Sequence, residues 1–307
     1  MKVAVFGRFY NLTTTFSVET LFNFLKKKEI DAYIETEFYN LINDNEPNKI
    51  DYLFDKQFDT LDTSFDLFIS IGGDGTILRA ITFIKNLGIP IIGINTGRLG
   101  FLATIPVNDI EIAIQNIING KYRISERSLL TIETSVENKD IDSMNFALNE
   151  IAVSRKNTTS MITVETFLDG EYLTSYWSDG LIVSTPTGST GYSLSCGGPV
   201  ITPETNSFVI TPIAPHNLSA RPLIIPDATE IQLKVSGREE SHLVSLDSRI
   251  ATLENGTIIK IKKAPFTIKM VPSPPILINK SNEVSKVSNC LFNKCTILLG
   301  SLSLMRL

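Results

Sequence analysis

Histidine and cysteine are scarce in this chain of 307 residues, which has two histidines, His216 and His242, and three cysteines, Cys196, Cys290 and Cys295. With no Cys-x-x-Cys pair, a structural zinc site of the usual nitrogen and sulfur ligands is excluded. The odd, scattered cysteines make no disulfide framework and fit a reducing, cytoplasmic setting. Strong positive charge is also missing. The net charge of −5 and a pI near 5.3 argue against the basic face that a nucleic-acid binder needs. No run reaches the ~18 consecutive apolar residues of a membrane span, and the apolar run at 3–6 is too short for a secretory signal. Two phosphate-binding fingerprints are absent as well, Gly-x-Gly-x-x-Gly and Gly-x-x-x-x-Gly-Lys-Ser/Thr, which weighs against an ordinary dinucleotide dehydrogenase and a P-loop kinase. The expectation is a cytosolic globular protein with small soluble partners, no nucleic acid and no membrane.

What the chain does have is glycine in telling places. The run Ile71-Gly72-Gly73-Asp74-Gly75-Thr76 follows the apolar stretch 65–70 directly. Three glycines in four positions remove the Cβ atoms that keep a ligand from the backbone and allow N–H groups to turn toward an anion. An aspartate is out of place in a loop that only cradles phosphate, because like charges repel unless a cation or a transferable proton lies between them. Asp74 therefore reads as chemistry. Taken alone, the run is read equally well as a tight turn.

The hydrophobic pattern divides the chain. Residues 1–125 alternate strand and helix patterns, as in a Rossmann-like open α/β sheet, with strands at 3–6, 30–34, 65–71 and 89–94 and helices at 18–28 and 76–87. Residues 43–58 read as an irregular connection, and 95–101 as a second loop bordering the same crevice. Residues 126–275 change to short alternating strands and read as an all-β sandwich, with hairpin signals at Asp169-Gly170 and Asn255-Gly256. Strands are expected at 129–134, 146–154, 162–168, 172–175, 181–184, 231–235, 243–246, 258–262 and 266–270. Residues 276–307 form a C-terminal tail.

Two further constellations carry polar chemistry. The segment from Asp179 to Pro199 is dense in hydroxyls and glycines immediately after an apolar strand, and Tyr192 within it offers an aromatic face to a base. Asn149-Glu150 sits in an apolar strand context, where a buried carboxylate needs a partner and vicinal ribose hydroxyls are a natural one; exposure on an edge strand explains it equally well. His216 and Arg221 are taken as structural.

With those residues named, the sequence resembles the NAD kinase family over about residues 1–272. The resemblance rests on Gly72-Gly73-Asp74-Gly75-Thr76, Asn149-Glu150, Asp179-Gly180, Thr185-Pro186-Thr187-Gly188-Ser189-Thr190-Gly191-Tyr192 and Thr211-Pro212-Ile213-Ala214-Pro215-His216, in the family's order. It implies phosphoryl transfer from ATP, or polyphosphate in some members, to the 2′-hydroxyl of the adenosine ribose of NAD. Asp74 would be the general base and Gly75 would lie against the dinucleotide phosphates. Arg79, on the first helical turn, would meet phosphate charge. Asn149 and Glu150 would hold ribose and adenine-side groups, and Asp179 the nicotinamide riboside half. Thr187, Thr190, Gly191, Tyr192, Ser193, Leu194 and Ser195 would line the adenine and ribose pocket. Magnesium would arrive with ATP, with no metal site of the protein's own, and a homo-oligomer, dimer or tetramer, is implied. The sequence departs from the family at Trp177-Ser178, at Ser248-Arg249 after Asp247, where a small residue and glutamine are common, and in the tail 281–307. A lipid-type kinase sharing the Gly-Gly-Asp-Gly loop and a non-catalytic nucleotide sensor are the alternatives.

Overall fold

The computed structural model describes residues 1–45, 56–98, 100–157, 160–217 and 219–272, so the expected tail lies outside the described residues. Residues 1–272 form one compact unit. Its first part runs Lys2–Gly7 (β1), Leu12–Lys27 (α1), Asp31–Glu35 (β2), Thr36–Asn45 (α2), Gln57–Phe58 (β3), Leu67–Gly72 (β4), Asp74–Ile84 (α3), Ile91–Asn95 (β5), Ile105–Pro106 (β6) and Ile110–Ile118 (α4). These strands pair in parallel in the order β3-β2-β1-β4-β5-β6. Alternate residues of β1 serve opposite faces. Val3 and Val5 pack with α1, α2 and α4, whereas Ala4 and Phe6 pack with Ile77, Ala80 and Ile81 of α3. Covered on both sides, the central strands read as continuous apolar runs. The order reverses between β1 and β4, and open sheets take ligands in the crevice beyond the carboxyl ends of such a pair.

The second part contains Ser125–Thr134 (β7), Lys139–Asp142 (α5), Phe146–Ala147 (β8), Glu150–Arg155 (β9), Ile162–Leu168 (β10), Glu171–Ser178 (β11), Gly180–Ser184 (β12), Tyr192–Ser195 (α6), Ser207–Ile213 (β13), Leu223–Pro226 (β14), Ile231–Gly237 (β15), Ser241–Leu246 (β16), Arg249–Glu254 (β17) and Ile258–Met270 (β18). An antiparallel sheet β14-β13-β12-β9-β16-β17 packs against β11-β10-β15-β18, with β7 added to β18 and β8 to β7. Val153, Leu181, Val183, Phe208 and Ile210 meet Val164, Leu233, Val235, Ile259 and Ile261 between the sheets, giving the β-sandwich. β18 is the seam of the molecule. Met270 pairs with Ser125 of β7 and with Ile91 of β5, so the sheet of the first part continues into the second where 125/126 was drawn as the boundary.

Several elements differ from their sequence expectations for identifiable reasons. α1 begins at Leu12 rather than 18, because the Asn11 side chain accepts from the Thr14 N–H at 2.8 Å and caps a first turn too polar to show apolar periodicity. α3 begins at Asp74 rather than 76. α2 and α4 were not anticipated; α2 closes at Asn45, β3 supplies 57–58, and the rest of the expected connection, 46–55, lies outside the described residues. The strand at 146–154 is broken at Leu148-Asn149 into β8 and β9. The strands at 258–262 and 266–270 are one strand with a register shift between Lys263 and Thr267, around Pro265. Asp169-Gly170 does join the antiparallel pair β10 and β11, but Asn255-Gly256 links strands of different sheets and is not a hairpin.

Replacing the cap, Asn11→Ala, is expected to cost about 1 kcal/mol. Urea denaturation checks this, and an unchanged midpoint would contradict the capping role.

Candidate active site

The glycine loop ends β4 and starts α3. Gly72 is required by the fold, since its φ is +151° and a Cβ there would collide with Thr76. Gly73 and Gly75 are different. A Cβ on either meets nothing within 4 Å, so no packing inside the chain explains the small residue, and the space above them is open. Gly73 caps α3 without a side-chain bond, and the helix's positive end faces that space.

The second loop, after β5, is folded by Asn95. Its amide nitrogen donates to the Arg98 and Ala103 carbonyls at 2.9 and 3.1 Å, and its oxygen accepts from the Gly97 N–H at 2.8 Å. The loop then delivers three backbone N–H groups to one side chain. Leu102 and Ala103 donate to Asp74 Oδ1 at 3.0 and 2.9 Å, and Phe101 donates to Oδ2 at 2.8 Å. A Cβ on Gly100 would lie under 3.0 Å from three atoms of that carboxylate, so only glycine fits against it. A carboxylate has about four acceptor positions. Three are taken, and the one left free belongs to Oδ2.

The β8–β9 break supplies the next groups. Asp247, at a φ of +53° in the turn between β16 and β17, accepts from the Leu148, Asn149 and Glu150 N–H groups at 2.9, 2.8 and 3.1 Å. From the other side, Thr185 Oγ1 donates to the Leu148 carbonyl at 2.6 Å, and its N–H to the Asn149 carbonyl at 2.9 Å. Gly188 packs so closely on Asn149 that a Cβ would strike the Asn149 backbone. With the backbone satisfied, Asn149 Oδ1 and Glu150 Oε2 are left buried without a partner among the described residues. Each orphan costs on the order of 1–3 kcal/mol, which a ligand's hydroxyls would offset.

Leu148 shares a core cluster with Ile77 of α3 and with Leu102 and Ala103, so the Asp74 anchor and the Asn149-Glu150 step rest on the same packed junction between the two parts.

Both halves of the chain match known family models: residues 3–122 the ATP-NAD kinase N-terminal domain, and residues 148–273 the ATP-NAD kinase C-terminal domain. An NAD kinase of Flavobacterium psychrophilum is 57% identical over 274 residues, 89% of this chain and 93% of the relative. The chain belongs to the ATP-NAD kinase family. Among solved structures, yeast NADH kinase complexed with NADH superposes with a TM-score of 0.77 at 26% identity, covering 89% of this chain and 83% of that one. An NAD kinase from Archaeoglobus fulgidus in complex with ATP gives a TM-score of 0.68 at 27% identity, covering 89% and 94%. These matches leave the lipid-kinase alternative without support.

Within this family frame the expected site residues fall into groups. Thr187, Thr190, Gly191, Tyr192 and Ser195 lie on the loop and short helix after β12, with Tyr192 46% exposed and Leu194 partly buried. Ser193 stands apart. It is fully buried, its hydroxyl shares a 2.9 Å bond with Thr211, and it braces the loop rather than facing the crevice. Asp179 pairs with Arg155 at 2.9 Å and lies close enough to Tyr192 to raise its phenol, after burial. Arg79 is exposed on the second turn of α3, not the first, and its charge reaches Arg249. The Arg249 guanidinium donates to the Met144 and Phe146 carbonyls and stacks 5.4 Å from the Phe146 ring. The sequence placed the loop 95–101 beside the crevice, but not the part that Asn95, Gly100 and the 101–103 amides play in holding Asp74; backbone donors leave no residue-type signal.

No group of three or more metal-ligating side chains occurs among the described residues. The donor set here suits a nucleotide's hydroxyls and phosphates, and a divalent cation would be held chiefly by the nucleotide's own oxygens.

Burial first, and then the Asp247 charge, push the Glu150 carboxyl up to about 8 from 4.5, against the pull of a Tyr192 N–H bond. Between those values the folded chain holds a proton that the unfolded chain has released, so stability falls as pH rises through the window. Urea midpoints measured across it are expected to fall more steeply in the unmodified chain than in Glu150→Gln; equal slopes would contradict a raised Glu150.

Proposed function

We propose that the chain phosphorylates the 2′-hydroxyl of the adenosine ribose of NAD with ATP, giving NADP and ADP. The observation that carries this reading is the Asp74 carboxylate. It is fixed by three N–H donors, retains one acceptor position on Oδ2, and sits beside the open ground over Gly73 and Gly75. In the step, the 2′-O–H bond breaks and its proton passes to Asp74, the ribose oxygen bonds to the terminal phosphorus, and the bond from that phosphorus to the ADP leaving oxygen breaks. Proton abstraction by a positioned carboxylate contributes about 10²–10⁴ in rate. Magnesium accompanying ATP would neutralise charge on the phosphates.

The remaining roles follow the chemistry of each group. Gly75 leaves room for the dinucleotide phosphates, and Arg79 adds positive charge at the crevice. Asn149 Oδ1 and Glu150 Oε2, the orphaned atoms, take hydroxyls of the adenosine ribose. Thr187, Thr190, Gly191, Tyr192, Leu194 and Ser195 line the adenine side, with the Tyr192 ring as a stacking face. Asp179 meets the nicotinamide riboside. The yeast NADH kinase is complexed with NADH and the Archaeoglobus fulgidus NAD kinase with ATP, which supports a dinucleotide acceptor and a nucleotide donor here. A homo-oligomer is in keeping with the exposed Tyr172, Leu173 and Trp177 on edge strand β11. None of the described helices is long and apolar enough to cross a membrane. A cytoplasmic setting is the one in which the scattered cysteines stay reduced.

The test is a coupled assay of NADP formation with ATP and with polyphosphate, on NAD and on NADH. Asp74→Asn is expected to retain NAD binding and lose about 10²–10⁴ in kcat. Equal turnover would remove Asp74 from the chemistry, and no turnover in the unmodified chain would favour a nucleotide sensor. Gly75→Ala is expected to keep or gain up to ~1 kcal/mol of stability, since alanine suits a helix better, while raising KM for NAD. Unchanged KM would clear Gly75 of phosphate contact.

A further inference from the structure

The turn between β16 and β17 reaches back about a hundred residues with both signs of charge. Asp247 collects the N–H groups of Leu148, Asn149 and Glu150, and Arg249 collects the carbonyls of Met144 and Phe146. Acid takes donors and base takes acceptors along one segment. β8 pairs with β7 in one sheet and β9 with β12 and β16 in the other, so the backbone at Leu148-Asn149 crosses between sheets, and its N–H groups are taken by Asp247.

We propose that Asp247, with Arg249 as its brace, is the positioning residue that fixes the crossing between the two sheets at Leu148-Asn149 and thereby sets Asn149 and Glu150 toward the dinucleotide. This deepens the proposed NAD kinase reading and rests on it. The long, forked side chain of Arg249 spans two carbonyls and covers the Phe146 ring, so packing and hydrogen bonding are served together.

Asp247 acts on Glu150 through charge as well as through the backbone. Both carboxyls are driven upward by burial, yet Asp247 has N–H donors on both oxygens whereas Glu150 has a free Oε2. A proton shared between them therefore settles on Glu150. The groups facing Glu150 are Asp247 from the β16–β17 turn and Tyr192 from α6; the neighbouring residues of β12 and β16 on either side, Ser184 and Leu246, carry no charge. Behind these stand Arg249 against Asp247, Arg79 against Arg249, and Asp179 and Cys196 against Tyr192. Glu150 then meets the ligand as a neutral acid, able both to donate to and to accept from a ribose hydroxyl. The apparent titration belongs to the pair.

The experiment compares Asp247→Asn with the unmodified chain over pH 6–9. Three readouts are taken: KM and kcat for NAD, calorimetric binding of NAD, and hydrogen exchange at the amides of Leu148, Asn149 and Glu150. Asp247→Asn is expected to raise KM by about tenfold while kcat at saturating NAD changes less, the split of a lost binding geometry. The inflection of KM near pH 8 is expected to move to lower pH, because Glu150 no longer ionises against a like charge, and the three amides are expected to lose protection. A folded variant with the same KM, inflection and protection would overturn the proposal. Where Asp247→Asn does not fold, Glu150→Gln replaces it. That variant leaves the Asp247 bonds in place, so the inflection is expected to vanish, and its persistence would overturn the charge coupling. Absence of NADP formation by the unmodified chain defeats the kinase reading separately; binding and amide exchange still decide the role of Asp247.

Discussion

The bonds from the 101–103 amides to Asp74 join two loops that leave neighbouring strands of one sheet. One loop supplies the carboxylate, and the other, folded by Asn95, supplies the donors that hold it still. A carboxylate at the head of a helix, beside the open space over Gly73 and Gly75, has several orientations open to it. Three N–H groups select one and leave a single acceptor position for an incoming hydroxyl. Gly100 is the steric counterpart of this electrostatic choice, because any side chain there would occupy the space that the carboxylate needs.

The same device recurs across the crevice. Asp247 also accepts three consecutive backbone amides, those of a segment whose Asn149 and Glu150 side chains keep buried oxygens without a partner among the described residues. In both places an acid far away in sequence holds backbone that regular pairing would not hold in that shape. The junction beneath is apolar, with Ile77, Leu102, Ala103, Phe146 and Leu148 in one cluster, so the two clamps are carried by a common rigid floor. Rigidity there suits phosphoryl transfer, in which positioning and charge neutralisation supply most of the catalysis.

Much of this was legible from residue order. The alternation before residue 125 and the short strands after it gave the α/β half and the sandwich, because burial on two faces and on one face leave different periodicities. Gly73, Asp74 and Gly75 stood out because a carboxylate is out of place in a glycine loop that only cradles phosphate, although the run alone reads equally well as a turn. What could not be read was contact between distant segments. Nothing local to Asp247 says that it binds residues 148–150, and nothing local to Phe101 says that its amide meets Asp74. The inward turn of Ser193 was equally hidden: it sits in a loop rich in hydroxyls, and α6 carries its side chain onto Thr211. The break at Leu148-Asn149 was hidden because the residues on both sides are apolar enough to continue a strand.

The central claim is a matter of distance, and a crystal structure of the chain with NAD bound measures it directly. The adenosine 2′-oxygen is expected about 2.6–3.2 Å from Asp74 Oδ2, with the 101–103 amides still on the carboxylate. An NAD molecule bound with that oxygen against another group, and Asp74 turned away from it, would contradict the account.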